Sequence, residues 1–292
     1  MKLKRKIGVV TSSRADYGLL RKLLIKIHED SRVELFLFVT GTHLSHEFGS
    51  TINEIIDDEL IITKKMEIIL SSDSDVAVCK SLGLGMISFS ECFENHKPDL
   101  LLILGDRYEM MAAGTSALLM KIPIGHIHGG ESTTGSYDDA IRHSLTKMAQ
   151  WHFVATKEYA NKVIQLGENP KRVFNVGGLG VDAIKGIKLF TKKQVQDKLN
   201  FKFNKRNLIV TYHPVTLDMN LSKDHFGKLL MSLSHLKNTN IIFTFTNADT
   251  EGRTINKMIK NFVKNNKHSI YFDSLGQFLY FSVLQYVDAV VG

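Results

Sequence analysis

Residues that could move protons or hold anions fall into a few short stretches, each following an apolar run. Leu104-Gly105-Asp106-Arg107-Tyr108-Glu109 sets a carboxylate and a guanidinium directly after five apolar residues, 100–104. His126-Ile127-His128-Gly129-Gly130-Glu131 comes next, followed by Asp138, Asp139, Arg142 and His143. Carboxylates in unlike surroundings separate their pKa values and can divide the roles of acid and base, so Asp106, Glu131 and Asp138 are candidates for proton transfer. The pair His126 and His128 lies on one face of an extended chain, a spacing that suits a metal. No third ligand stands at a recognised distance, so no metal is expected. Plainer readings exist: Asp106 as a helix N-cap, and Asp139, Arg142 and His143 as surface on the first turns of a helix.

Other stretches suit an anion. Thr11-Ser12-Ser13-Arg14-Ala15-Asp16-Tyr17-Gly18 follows the first apolar run and opens a helical pattern. It lacks GxGxxG, which excludes a dinucleotide fingerprint, and no cofactor is expected. Arg14 beside the amides of a helix start suits a phosphate; the alternative is a Ser13 cap with Arg14 solvated. Near the other end, His213-Pro214-Val215-Thr216 and Asn247-Ala248-Asp249 each follow an apolar run. A histidine there can donate to a phosphate oxygen, whereas a turn or capping role suits Asp249 best and His213 least. Charge follows the same division. Residues 1–170 hold 19 Lys and Arg against 22 Asp and Glu, and residues 171–292 hold 18 against 8. A basic second half suits phosphate-bearing partners, or is simply a lysine-rich solvated surface. The lysines are scattered, without an aromatic-interleaved stripe, so nucleic acid is not expected.

Elements must place these residues. Apolar, β-rich runs at 7–11, 33–40, 100–105, 122–128 and 152–156 alternate with helical patterns at 17–28, 107–120, 138–149 and 157–165. After Val176-Gly177-Gly178-Leu179-Gly180 the alternation resumes, with strands at 208–212, 241–246, 269–272 and 289–291 and helices at 223–237 and 251–265. Strand–helix alternation predicts parallel sheets covered by helices, an α/β chain of two doubly wound, Rossmann-like domains, 1–177 and 178–292. Ligands of such sheets bind at the carboxyl ends of the strands, which is where every stretch above lies. The 292 residues, 43% hydrophobic and 23% charged, exclude wholesale disorder. No apolar run reaches the roughly 20 residues of a membrane helix, and Met1–Arg5 leads into a strand without a cleavage site. Cys79 and Cys92, without CxxC spacing, read as free thiols of a cytoplasmic protein.

Taken in order, SSRADYG, GDR, HIHGGE, DDxxRH, HPVT and the Asn247 loop resemble the hydrolysing UDP-N-acetylglucosamine 2-epimerases of the sialic acid pathway and their relatives acting on bacillosamine-type sugar nucleotides. The resemblance runs the length of the chain. It implies two facing Rossmann-like domains of the B-type glycosyltransferase kind, the second holding the UDP, and a homo-oligomer, dimer or tetramer. It implies loss of UDP with the carbon 2 proton to give a glycal, then rehydration to N-acetylmannosamine. Asp106, Glu131 and Asp138 match the catalytic carboxylates and Arg142 a supporting cation. His213 matches the diphosphate-binding histidine, Arg14 and Asn247 lie at the nucleotide, and Arg107 and His128 belong with the binding set. Some members carry a carboxylate where this chain has His128, which leaves that role open. The family also continues past 288–292 into a serine-containing phosphate loop and a closing helical region. The second domain is therefore expected to be incomplete in this chain. The same architecture in a glycosyltransferase is the rival expectation.

Overall fold

A computed structural model describes residues 4–72, 74–185, 187–213, 221–246 and 252–292. Asn247, Asp249 and the Pro214-Val215-Thr216 stretch lie outside the described residues. The chain divides into two compact units, one of Met1–Ser72 and Val76–Lys185 and one of Asp73–Asp75 and Gly186–Gly292.

The first unit runs β1 (Arg5–Thr11), α1 (Arg14–Glu29), β2 (Val33–Thr40), α2 (Ile52–Asp57), β3 (Ile62–Met66), α3 (Asp75–His96), β4 (Leu100–Leu104), α4 (Tyr108–Leu119), β5 (Ile124–Ile127), α5 (Asp138–Met148), β6 (Trp151–Val154), α6 (Lys157–Gln165), β7 (Val173–Asn175) and α7 (Leu179–Ile184). Its seven strands are all parallel, in the order β3-β2-β1-β4-β5-β6-β7. Alternate strand residues point to opposite faces, and both faces are apolar. Val10, Phe38, Leu101 and Ile103 join Phe89 and Phe93 of α3 and Met110 and Ala113 of α4 in one core. Val9, Leu37, Val39, Leu102 and Leu104 join Tyr17, Leu20 and Leu24 of α1 in the other. This is why the strands read as unbroken apolar runs, and the order reverses between β1 and β4, where such sheets open a crevice.

Some elements escape the sequence pattern. The short strands β3 and β7 are edges, and β3 carries Lys64 and Lys65, a usual protection against stray pairing. Helix α3 is 22 residues long and holds an 18-residue window of mean hydropathy 1.3, enough by length and composition for a membrane span although charged residues interrupt its apolar run. Yet it lies on the sheet with Phe89, Cys92 and Phe93 in the core, as the central helix of a folded domain does. The α7 helix belongs to the first unit, beyond the sequence boundary at 177/178. Lys22 Nζ of α1 donates to the carbonyls of Asp182 and Lys185 and fastens it there.

In the second unit α8 (Lys192–Leu199), β8 (Arg206–Val210), α9 (Ser222–Ser234), β9 (Thr239–Thr244), α10 (Gly252–Lys264), β10 (Ser269–Phe272), α11 (Gly276–Leu284) and β11 (Ala289–Val291) form a four-stranded parallel sheet, ordered β10-β9-β8-β11. Both faces are again apolar: Ile241 and Phe243 enter one core, Ile242 the other.

Candidate active site

At the end of β4, Gly105 turns with φ +77° and delivers Asp106. Asp106 does not cap α4, because Arg107 occupies the N-cap position, with its carbonyl accepting from Met110 and Met111 N–H. The carboxylate instead receives Nη2 of Arg142, which lies in α5 and is 7% exposed. Nη1 of the same guanidinium donates to Thr133 Oγ1 at 3.2 Å, while the buried Nε has no hydrogen-bond partner among the described residues. Burial pushes the Asp106 pKa up to about 6; Arg142 and Arg107 oppose the rise, and Asp138 and Glu131 add to it. Asp106 can therefore hold or release a proton near neutral pH.

The β5 end supplies the second carboxylate. His126 is fully buried, donating from Nε2 to Gly105 O at 2.7 Å with Nδ1 at 3.1 Å from Thr146 Oγ1. Desolvation holds its pKa down to about 4, so the ring is a neutral brace between the β4 turn and α5. The histidine pair thus separates. His126 is structural, whereas His128, past the strand end at φ +63°, meets Glu131 Oε1 through Nδ1 at 2.9 Å. Gly130, at φ +80°, has no room for a side chain: a Cβ would stand 2.5 Å from Tyr159 O. Burial tends to raise the Glu131 pKa, but His128, Arg142 and His126 outweigh it and hold the group below the ordinary value. Asp106 and Glu131 are thus displaced in opposite directions around one arginine. Asp138 opens α5, near enough to act on Asp106, and its amide N–H donates to Ser136 Oγ at 3.1 Å. Asp139 accepts from Thr133 N at 3.0 Å, which ties down the loop before the helix.

The first turn is built differently. Ser13 caps α1 in a reciprocal box with Asp16, the plainer of the two readings for that serine. Asp16 accepts from Thr11 Oγ1 (2.7 Å), Ser12 N (2.9 Å), Ser12 Oγ (2.9 Å) and Ser13 N (3.0 Å). Buried His43 lies behind, bridging Thr11 Oγ1 at 3.0 Å and Thr51 Oγ1 at 2.8 Å. Burial would raise the Asp16 pKa, but His43, Ser12 and Thr11 bring it below the ordinary value. Arg14, first in α1 and partly buried, stands at the β1 end next to the β4 end that carries Asp106. Arg107 faces inward to fully buried Glu109, Nε at 3.1 Å from Oε2 and Nη2 at 3.2 Å from Oε1. Gly41 separates that pair from the first turn, since a Cβ there would lie 2.5 Å from Ser12 O and 3.1 Å from Glu109 Oε1.

Asp106, Glu131, Asp138 and Arg142 therefore share one sheet edge, with His128 among them. Sequence reasoning did not single out Asp16, Glu109, His43 or Thr133. The Ser13-x-x-Asp16 spacing is a visible capping signal, but His43 has none, because only the pairing of β1 with β2 brings it to Thr11. In the second unit His213 is exposed just past β8, beyond Thr211, whose hydroxyl lies 2.8 Å from that of Thr244 at the end of β9. Among the described residues no group of three or more His, Cys, Asp or Glu is arranged to hold a metal ion.

A family model described as UDP-N-acetylglucosamine 2-epimerase matches residues 25–292. The GDP/UDP-N,N'-diacetylbacillosamine 2-epimerase (hydrolyzing) of Campylobacter jejuni is 43% identical over 99% of this chain and 75% of its own length. The polysialic acid biosynthesis protein P7 of Escherichia coli is 38% identical (99% and 73%). The UDP-N,N'-diacetylbacillosamine 2-epimerase (hydrolyzing) of Legionella pneumophila is 35% identical (89% and 68%). Among solved structures, the Neisseria meningitidis UDP-GlcNAc 2-epimerase bound to UDP-GlcNAc superposes with a TM-score of 0.77 at 16% identity, covering 98% of this chain and 76% of that one. This likeness shows the fold alone. The chain spans about three quarters of the length of these relatives, and with that match it belongs to the UDP-N-acetylglucosamine 2-epimerase family.

Proposed function

We propose that the protein is a cytoplasmic hydrolysing 2-epimerase of UDP-linked 2-acetamido sugars. The observation that carries the reading is the opposed displacement of Asp106 and Glu131 about Arg142. Epimerisation by elimination needs a base whose pKa is matched to neutral pH, because the carbon 2 proton is weakly acidic. Asp106 fits that role. It takes the proton as the C2–H electrons form the C1=C2 bond of a glycal and the C1–O bond to UDP breaks. Water then adds its oxygen to carbon 1, and carbon 2 gains a proton on the opposite face. Glu131, ionised throughout, orients that water, Asp138 tunes Asp106, and Arg142 balances the changing charge. Arg14, Arg107, His213 and Asn247 are assigned to the nucleotide, and the enzyme to a homo-oligomer.

The two diacetylbacillosamine enzymes, at 43% and 35% identity, rank above the UDP-N-acetylglucosamine 2-epimerase of Neisseria meningitidis, at 29%. The diacetamido-trideoxy sugar is therefore the first substrate to test, and UDP-N-acetylglucosamine, yielding N-acetylmannosamine, the second. Incubation of each UDP-sugar in D₂O, without an acceptor, should release UDP and a 2-epimeric free sugar carrying deuterium at carbon 2. Protium retained at carbon 2, or an unepimerised sugar, would refute the elimination and favour a glycosyltransferase acting as a hydrolase.

A further inference from the structure

The backbone at His128 is left-handed, φ +63°, in a residue that is not glycine, and its surroundings hold it there. Its N–H donates to Phe153 O at 2.9 Å, carrying the β5–β6 ladder one residue past the strand end. The ring is engaged at both nitrogens. Nε2 lies 3.3 Å from the N–H of Leu179, the first residue of α7, and that contact needs a lone pair on Nε2. The proton of the neutral ring is then on Nδ1, which faces Glu131 Oε1 at 2.9 Å and can only donate. One backbone amide thus sets the tautomer, and the tautomer sets what Glu131 receives.

We infer that His128 is a positioning residue: locked as the Nδ1–H tautomer by the Leu179 amide, it fixes the rotamer of Glu131 and couples that carboxylate to the 176–179 segment. The other groups acting on Glu131 are the Arg142 guanidinium from α5 and the neutral His126 ring from β5, and Asp106 at the β4 end also feels the Glu131 charge. Among the described residues the His128 ring touches both Glu131 and the Leu179 amide. Substrate contact is not required for this role. It deepens the reading above and rests on it for the kinetic part of the test.

The first measurement is independent of activity. Long-range ¹H–¹⁵N correlation of the histidine rings in the purified protein, with His128 assigned by its loss in His128→Ala, should show a neutral Nδ1–H tautomer. An Nε2–H tautomer overturns the inference whether or not any sugar is turned over. Kinetics follow. His128→Ala should lower kcat by about 10- to 100-fold with KM changed less than about threefold. His128→Asn, whose amide nitrogen falls near the Nδ1 position, should recover most of that loss. Leu179→Pro removes the N–H together with the leucine side chain while leaving the helix start in place, because proline is accepted at the first helical position. It should fall at least about threefold below Leu179→Ala, which keeps the N–H and controls for lost packing. A kcat for His128→Ala within threefold of native, or His128→Asn no better than His128→Ala, overturns the inference. Absence of turnover in the native protein would refute the epimerase reading instead and leave the tautomer to decide this one.

Discussion

Asp16 and Asp106 stand at the ends of neighbouring parallel strands, both mostly withdrawn from water, and their chemistry is opposite. Asp16 accepts from two backbone amides and two hydroxyls, with His43 behind it, and is held ionised. Asp106 pairs with Arg142, has two further carboxylates nearby, and is pushed toward protonation. Burial acts on both in the same direction. The number of donors arranged around each decides the outcome: full satisfaction builds a turn, and partial satisfaction leaves a group whose proton is available.

The largest effect expected from breaking this contrast is on turnover. Asp106→Asn should lower kcat by about 10²–10⁴ while nucleotide binding and the thermal midpoint stay close to native. A rate within a factor of a few would remove Asp106 from the reaction. Asp16→Asn should instead act on stability. One acceptor oxygen faces donors arranged for two, and a loss of about 2–3 kcal/mol in urea unfolding is expected. The pH dependence carries a sign. With its folded pKa below the unfolded value, Asp16 stabilises the fold above the ordinary carboxylate range, and that contribution disappears as pH falls through the folded pKa. The Asp16→Asn variant should lack that acid loss, and identical acid unfolding of the two proteins would contradict the assignment. A milder test concerns the rate profile. If Asp106 accepts the proton, kcat/KM should fall about tenfold per pH unit below a pKa near 6 and level off above it. A profile rising toward acid would make Asp106 the proton donor. Smallest is Ser13→Ala, which removes the α1 cap and should cost about 1 kcal/mol in thermal or urea unfolding without altering kcat.

Much of this arrangement was legible in the residues. Apolar runs such as Leu100–Leu104 marked the central strands, because a sheet covered on both faces imposes no alternation. Glycine turns after them placed Asp106 and Glu131 at strand ends, and Asp138 and Arg142 shared the opening of one helical pattern. Elements without such a signature were lost. β3 mixes lysine with apolar residues because it is an edge, and α3 is apolar around much of its surface, so neither shows a clean period. The divergence of His126 from His128 could not be read either. Both lie one residue apart from Ile127, but the strand ends between them, and alternation stops holding where the backbone turns left-handed. The burial of Arg107 against Glu109 was hidden for another reason. A guanidinium two residues from a carboxylate is usually solvated, whereas here Glu109 is fully buried with Gly41 packed close against it.

The sheet order carries a consequence for how the protein is made. β1 lies between β2 and β4, and its register with β4 joins Ile7 to Leu100, 93 residues along the chain. During synthesis the first strand therefore emerges with one edge and part of each face unpaired. It waits for α1, β2, α2, β3 and α3 to be laid down before its second neighbour arrives. Closing so long a loop is slow, and an unpaired apolar edge in the interval invites association with other nascent chains. Arg14 and Asp106 sit on the two sides of that closure. In refolding from urea, helical signal should return early, whereas catalytic competence should appear only with the late step that zips β4 onto β1.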